Sequence, residues 1–327
     1  MGQLPAERAR PSRPFRHSGV DYAGPILLRT TKGRGYKATK GYICLFICLA
    51  SRAIHLEVVS DLTSASFLAA YKRFTARRGL CQTLLSDNGT TFRGAANELR
   101  AMFKAASTFY NECAANLANQ GTAWKFIPPG APHFGGLWEA SVKSVKYHLR
   151  RIIGEHKLTY EEMTTLLAQI EVCLNSRPLH ALSNEPSDLT ALTPGHLLIG
   201  ESLLCVPEPS LLQTRMESLP SRWALLSSMR DHFWARWSKE YAHHLQQLKK
   251  WRKASPNLIV GSLVLIKNEL QPPARWALAR ITALHTGSDG LVRAVTLRTA
   301  DSTFKRPITK LCPLPVEPTP TVVDNPI

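Results

Sequence analysis

The order of apolar runs near the N-terminus limits the fold more than any other property of the chain. Residues 19–29, 41–50 and 53–60 are apolar runs rich in β-branched side chains, separated by segments carrying Gly, Lys and Arg, as a meander of strands requires. Asp61-Leu62-Thr63-Ser64 then supplies a helix start, Phe67, Leu68, Tyr71 and Phe74 follow at helical spacing, and Gly79 is the stop. Residues 81–85 read as a short buried strand. Three strands, a helix and a further strand specify an α/β arrangement with a mixed sheet.

Residues 94–118, rich in Ala, Asn and Leu, read as helical, and 124–127 as a short strand. Pro128, Pro129 and Pro132 break the chain before a helix from about Gly136 to Ile153, and a second helix covers 159–175. Residues 222–251 form one long helical pattern with Trp223, Leu226, Phe233, Trp237, Tyr241, Leu245 and Leu248 along it. An aromatic stripe tempts a base-stacking reading, but its helical spacing favours a core face. From 258 onward the pattern changes to short β runs, 258–267, 276–284, 291–298 and 303–307, for which a small β-barrel is the economical arrangement.

The chain has 327 residues, enough for about two domains, and its 44% hydrophobic content argues against disorder throughout. The longest apolar run, 42–50, is well short of the ~20 residues a membrane helix needs, and the N-terminus lacks the apolar stretch of a signal peptide. Seven cysteines occur singly, with no Cys-x-x-Cys pair, which fits a reduced compartment better than a disulfide framework. With 41 Lys+Arg against 24 Asp+Glu, the net charge is +17, and a polyanion, most commonly nucleic acid, is the expected partner.

Three acids occupy positions where a carboxylate is costly unless neutralised: Asp21 inside the first strand, Asp87 just after the fourth, and Glu139 in the first turns of the helix after the Pro-rich loop. Taken singly, each has a bland reading as a solvated strand-edge or helix-start carboxylate. Together they make an all-oxygen set suited to Mg²⁺ or Mn²⁺, and two such ions ~3.5–4 Å apart activate an attacking oxygen and stabilise a leaving one. At 100° per residue, Glu139, Lys143, Lys146 and Arg150 fall within about 60° of one another, while Trp138, Val142, Val145, Leu149 and Ile152 form a stripe about 110° away. The helix therefore docks by one face and offers one acid with three bases on another.

The runs Gly19-Val20-Asp21-Tyr22-Ala23-Gly24-Pro25, Ser86-Asp87-Asn88-Gly89-Thr90-Thr91-Phe92 and Pro128-Pro129-Gly130-Ala131-Pro132-His133-Phe134-Gly135-Gly136-Leu137-Trp138-Glu139 resemble, in this order, the integrase of LTR retrotransposons, and most closely the Bel-Pao type. The segment from Cys44 to Glu57, Leu174-Asn175-Ser176-Arg177-Pro178, Leu192-Thr193-Pro194-Gly195-His196 and the segment from Lys305 to Lys310 extend the resemblance over nearly the whole chain. It implies an RNase H-like mixed five-stranded sheet with flanking helices, then a helical connection and a small C-terminal SH3-like β-barrel. The implied boundaries are a linker at 1–17, the catalytic core at 18–180, the connecting region at 181–255, the barrel at 256–315 and a disordered tail at 316–327.

The resemblance further implies that Asp21, Asp87 and Glu139 are catalytic and bind divalent metal, Mg²⁺ or Mn²⁺, in 3′-end processing followed by strand transfer. Asn88, Lys143, Lys146 and Arg150 are the expected DNA contacts, with element ends and target DNA as partners, a homo-oligomer as the assembly and the nucleus as the place of action. In the barrel segment Lys267, Arg275, Arg280, Arg293, Arg298, Lys305, Arg306 and Lys310 outnumber the acids and are expected to neutralise phosphates.

Two departures qualify the resemblance. The spacing between Asp87 and Glu139, 139 − 87 − 1 = 51 residues, exceeds the retroviral one, and an inserted helix at 94–118 would account for the excess at little entropic cost. No His/Cys cluster has zinc-finger spacing, so no zinc is expected, and the chain begins in what reads as the linker after a zinc-binding domain. The alternative expectation is therefore a non-catalytic nucleic-acid-binding remnant or a domesticated DNA-binding protein.

Overall fold

A computed structural model describes residues 10–31, 35, 37–86, 111–126, 132–214, 221–246, 258–268 and 271–315, with backbone alone for 126 and 132–141. It divides into two compact units, Met1–Ser176 with Pro194–Trp237 and Arg177–Thr193 with Ser238–Ile327.

The first unit begins with the expected meander. Strands β1 (His17–Arg29), β2 (Ala38–Cys48) and β3 (Ile54–Val59) pair antiparallel in chain order, and helix α1 (Ser64–Arg78) follows. Thr63 caps α1, its side chain accepting from Ser66 N–H, and Gly79 ends it at φ +82°. Strand β4 (Thr83–Ser86) then pairs parallel to β1 on its other side, and β5 (Ala123–Phe126) pairs parallel to β4. The sheet order is β3-β2-β1-β4-β5, with the two-residue β6 (Leu158–Thr159) joining the far end of β1. The structure is thus a mixed sheet with flanking helices, as the order of apolar runs requires. Of the expected helix at 94–118, residues 111–118 are described and helical; the rest lies outside the described residues.

Pro25 would cost a central strand one ladder bond, and the chain accommodates it with a register shift between Ala23 and Ile26. Gly24 there has φ +139°, and a Cβ at this position would come within 2.9 Å of the Tyr42 ring.

Strand alternation sorts the two faces of the sheet. Val20, Cys44, Phe46 and Leu84 meet Phe67, Tyr71 and Phe74 of α1 in one apolar cluster, with Phe46 and Phe74 stacked at 4.1 Å. Asp21 consequently lies on the opposite face, where helix α2 (Pro132–Ile153) contacts β1. Val142, Val145, Leu149 and Ile152 are buried, as the helical stripe predicts. The helix starts earlier than expected, with Pro132 in its first turn, where a missing N–H is harmless.

Helix α3 (Tyr160–Asn175) runs along β3 and finishes that edge strand: the Asn175 side chain accepts from Ile54 N–H at 2.9 Å and donates to Ile54 C=O at 2.8 Å. Beside it, His55 is buried between Glu57 (3.0 Å) and Glu171 (3.2 Å). Burial opposes a charged ring, but the bonds to Glu171 and Glu57 outweigh it and raise the His55 pKa. Arg73 and Arg77 reach Glu57 at 2.7 and 3.0 Å, and Arg78 reaches Glu171, so charge ties α1, β3 and α3 together.

In the second unit, the short pair β7 (His180–Ala181) and β8 (Ala191–Leu192) precedes a five-stranded antiparallel sheet of order β12-β11-β10-β9-β13. Its strands are β9 (Leu263–Ile266), β10 (Leu278–Thr286), β11 (Val292–Arg298), β12 (Thr303–Pro307) and β13 (Leu311–Pro313). Four were legible as apolar runs; β13, three residues after a 3₁₀ turn, was not. Helix α4 (Pro194–Ile199) belongs to the first unit, and the boundary between units falls within helix α5 (Arg222–Leu245). The aromatic stripe of α5 is largely a core face, with Leu226, Phe233 and Trp237 buried, whereas Trp223 is exposed and Trp234 is buried off the stripe.

Helix α3 also carries a capping box. Thr159 accepts from Glu162 N–H, and the Glu162 carboxylate accepts from Thr159 N–H at 2.8 Å and from Arg222 at 3.0 Å. Burial works against a charged Glu162, yet Arg222 and the Thr159 amide outweigh it and hold the carboxyl at about 2. A depressed carboxyl stabilises the fold above its unfolded value of about 4.3, and that contribution is lost as the pH falls toward 2. Glu162→Gln should cost about 1–3 kcal/mol at neutral pH and flatten the decline in melting temperature between pH 5 and 2. Thermal unfolding curves with the same slope in both proteins would contradict this.

Candidate active site

The parallel ladder of β1 and β4 pairs His17 with Thr83, Ser18 with Leu84, Gly19 with Leu85 and Val20 with Ser86, where it ends. Asp21 is the next residue of β1, and Asp87 follows Ser86 in the chain. The end of β4 is fixed by Trp124, whose indole N–H donates to the Ser86 hydroxyl at 3.0 Å from the neighbouring β5. Open α/β sheets bind ligands beyond the carboxyl ends of their parallel strands, which is where this ladder stops.

Asp21 is half-buried. Its Oδ1 accepts from Tyr22 N–H at 2.7 Å, and its Oδ2 meets the ammonium of Lys146 at 2.5 Å. Both side chains of this ion pair are 31% exposed, so the pair contributes only ~0.2–1 kcal/mol, about a fivefold bias at most. A competing cation at Asp21 or a phosphate at Lys146 would displace it readily.

Lys146 comes from α2, and Glu139 precedes it by seven residues, two helical turns. Positions 139 and 146 therefore share one helix face, about 10.5 Å apart along the axis. The Glu139 side chain, Asp87 and Asn88 lie outside the described residues. On the same face, Lys143 and Arg150 are exposed, as a DNA-facing role needs. Lys146, expected as a DNA contact, pairs with Asp21 here. Periodicity gave its face, but nothing in the sequence reports what that face meets.

Among the described residues, no group of three His, Cys, Asp or Glu side chains converges on a point. Of the expected metal ligands, Asp21 is the one with a described side chain. It is a hard oxygen donor whose Oδ2 already attracts a cation, which suits Mg²⁺ or Mn²⁺.

The basic residues of the second unit divide by role. Arg280 is buried, and its guanidinium donates to the backbone carbonyls of Asp188 (2.6 Å), Gly261 (2.7 Å) and Ser183 (2.7 Å). It holds the β7–β8 segment to the sheet and is not available to phosphates, which corrects the expectation for it. Arg298 donates to Pro186 C=O, and Arg293 pairs with Asp289 at 2.6 Å. Arg275, Lys305, Arg306 and Lys310 are exposed, with Arg306 lying over the Phe304 ring.

Residues 221–314 match the model of a family described as a family of unknown function, DUF5641. Among solved structures, the chain is similar to one in a cryo-EM structure of the simian T-cell lymphotropic virus intasome in complex with the PP2A regulatory subunit B56 gamma. That match has 13% identity over 97% of this chain and 84% of the other, with a TM-score of 0.36. No curated protein matches.

Because the Asp21–Lys146 pair is half-exposed, Lys146→Met should lower the melting temperature by no more than about 4 °C, and a double-mutant cycle with Asp21→Asn should give a coupling of at most ~1 kcal/mol. A larger coupling would mean that the pair holds α2 on the sheet.

Proposed function

We propose that this chain is the catalytic core and C-terminal domain of an integrase of Bel-Pao type, acting in DNA 3′-end processing and strand transfer through Asp21, Asp87 and Glu139. The observation that carries this reading is the contact of Lys146 with Asp21, which brings the helix face bearing position 139 to the strand bearing the first acid. Three further features support it: the parallel ladder ending one residue before both Asp21 and Asp87, the mixed sheet with flanking helices that the RNase H-like reading expects, and the integrase-like motifs in their order along the chain. The five-stranded second unit suits the SH3-like barrel of the same reading.

In this mechanism Asp21, Asp87 and Glu139 would hold Mg²⁺ or Mn²⁺, which when bound supplies charge neutralisation at the phosphodiester and activation of the attacking oxygen. Lys143 and Arg150 hold the DNA backbone along α2, neutralising phosphates without reading sequence. Lys146 releases Asp21 and turns its ammonium to a DNA phosphate, so that one side chain balances the carboxylate's charge in the free protein and binds substrate in the complex. The displacement at phosphorus uses water in processing and a 3′-hydroxyl in joining, with a 3′-oxygen leaving in each case. The substrates are element ends and target DNA, the assembly a homo-oligomer and the place of action the nucleus.

A second reading, a non-catalytic DNA-binding remnant, is favoured by the same ion pair, since Lys146 already satisfies Asp21 without metal. Asp87→Asn separates the two. On the integrase reading it abolishes Mg²⁺- or Mn²⁺-dependent nicking and joining of end-mimicking DNA while DNA affinity stays within about twofold. A wild-type chain that binds DNA but neither nicks nor joins it, even with an integrase zinc domain supplied, would establish the remnant.

A further inference from the structure

Away from the acids, the first unit contains a cavity of about 370 Å³ lined by Arg151 and Ile152 at the end of α2, Leu212, Gln213 and Thr214 of the loop before α5, and His232 and Arg236 of α5. Its size is within the range of ligand sites. Its polar lining consists of two guanidinium groups, an imidazole, an amide and a hydroxyl, with no carboxylate.

The wall is built rather than accidental. The loop has no regular structure, yet Leu211 N–H donates to Asp231 Oδ2 at 3.1 Å, and Glu208 accepts from Arg230 (3.0 Å) and Ser227 (2.7 Å). Arg230 and Asp231 are themselves paired and buried, at 2.8 Å. The acid nearest to His232 in sequence is thus consumed in fastening the loop, which leaves the cavity side of α5 to His232 and Arg236, one turn apart. Burial, and then the neighbouring charge of Arg236, lower the His232 pKa from its ordinary value, which favours the uncharged ring.

Arg151 has a blander role open to it, since a base in the last turn of a helix complements the helix dipole. That role does not extend to Arg236, in the middle of α5. Arg151 also lies over the Tyr147 ring, 5.3 Å from its centroid, and donates to its hydroxyl. The ring is 52% exposed, so part of it remains open to solvent. Guanidinium forks suit phosphate oxygens, and the exposed ring beside Arg151, at the edge of the cavity lining, suits a nucleobase.

We infer that this cavity binds a phosphodiester of a single nucleic-acid strand, held by Arg151 and Arg236, with the adjoining base stacked on Tyr147. The inference stands apart from the metal-dependent reaction, because none of these residues belongs to the acidic set.

The test uses the full chain carrying Asp87→Asn, so that turnover plays no part, with ¹³C-labelled histidine. Saturating oligothymidylate should move the His232 ring resonance, assigned by its loss in His232→Gln. Arg151→Gln with Arg236→Gln, both at exposed positions, should abolish that movement and reduce the slope of log affinity against log salt by about 0.7, the value for one phosphate contact on a single strand. Tyr147→Ala should weaken oligothymidylate binding at least fivefold and leave inorganic phosphate unaffected. An unmoved His232 resonance or an unchanged salt slope would overturn the inference. Saturation by inorganic phosphate at lower concentration than by oligothymidylate would overturn it too, assigning the cavity to free phosphate.

Discussion

The parallel pairing of β1 with β4 is the constraint on which the rest of the first unit depends. β1 must bond to β2 on one side and to β4 on the other, so its alternation is fixed twice over: Val20 faces the α1 cluster, and Asp21 faces α2. A slip of one residue in either ladder would bury the carboxylate among Phe46, Phe67 and Phe74. Leaving a charge there unpaired would cost several kcal/mol, whereas on the observed face a half-exposed lysine suffices. The register that makes the core also sets the first acid where the parallel strands end.

The edge of the same sheet is secured by different chemistry. Among the described residues β3 has no strand beyond it, and Asn175 of α3 bonds the N–H and C=O of Ile54. His55, Glu57 and Glu171 add buried charge between β3, α1 and α3. Removing one member of such a cluster leaves the others uncompensated, so the loss of any one of them is costly. The two polar devices sit at the opposite end of the strand order from β5, and the core between them is left to apolar and aromatic packing.

Much of this was legible in the sequence because periodicity records burial. The meander, α1, the buried stripe of α2 and four strands of the second sheet all follow from spacing. What periodicity does not record is the partner. Lys146 fell on the expected face, but its pairing with Asp21 depends on how α2 lies against β1. Arg280 looked like the other bases of its segment, and its burial against three carbonyls depends on a chain segment about ninety residues away. Trp234 lies off the stripe of α5 and is buried all the same, since that helix is covered on more than one side. For the candidate site, the sequence supplied the three acids and their contexts. The structure added the ladder end, the Trp124–Ser86 bond that fixes it, and the cation already resting on Asp21.

That resting cation makes the acid site directly observable. Crystals of the full chain soaked in Mn²⁺ and measured at the manganese absorption edge would locate the ion by anomalous scattering, independently of any turnover. A peak within coordination distance of Asp21, Asp87 and Glu139, with the Lys146 ammonium moved off Asp21, is the result expected of a metal-dependent integrase core. Lys146 still bound to Asp21 and no anomalous peak at the end of the β1–β4 ladder, at Mn²⁺ concentrations that saturate such sites, would contradict it.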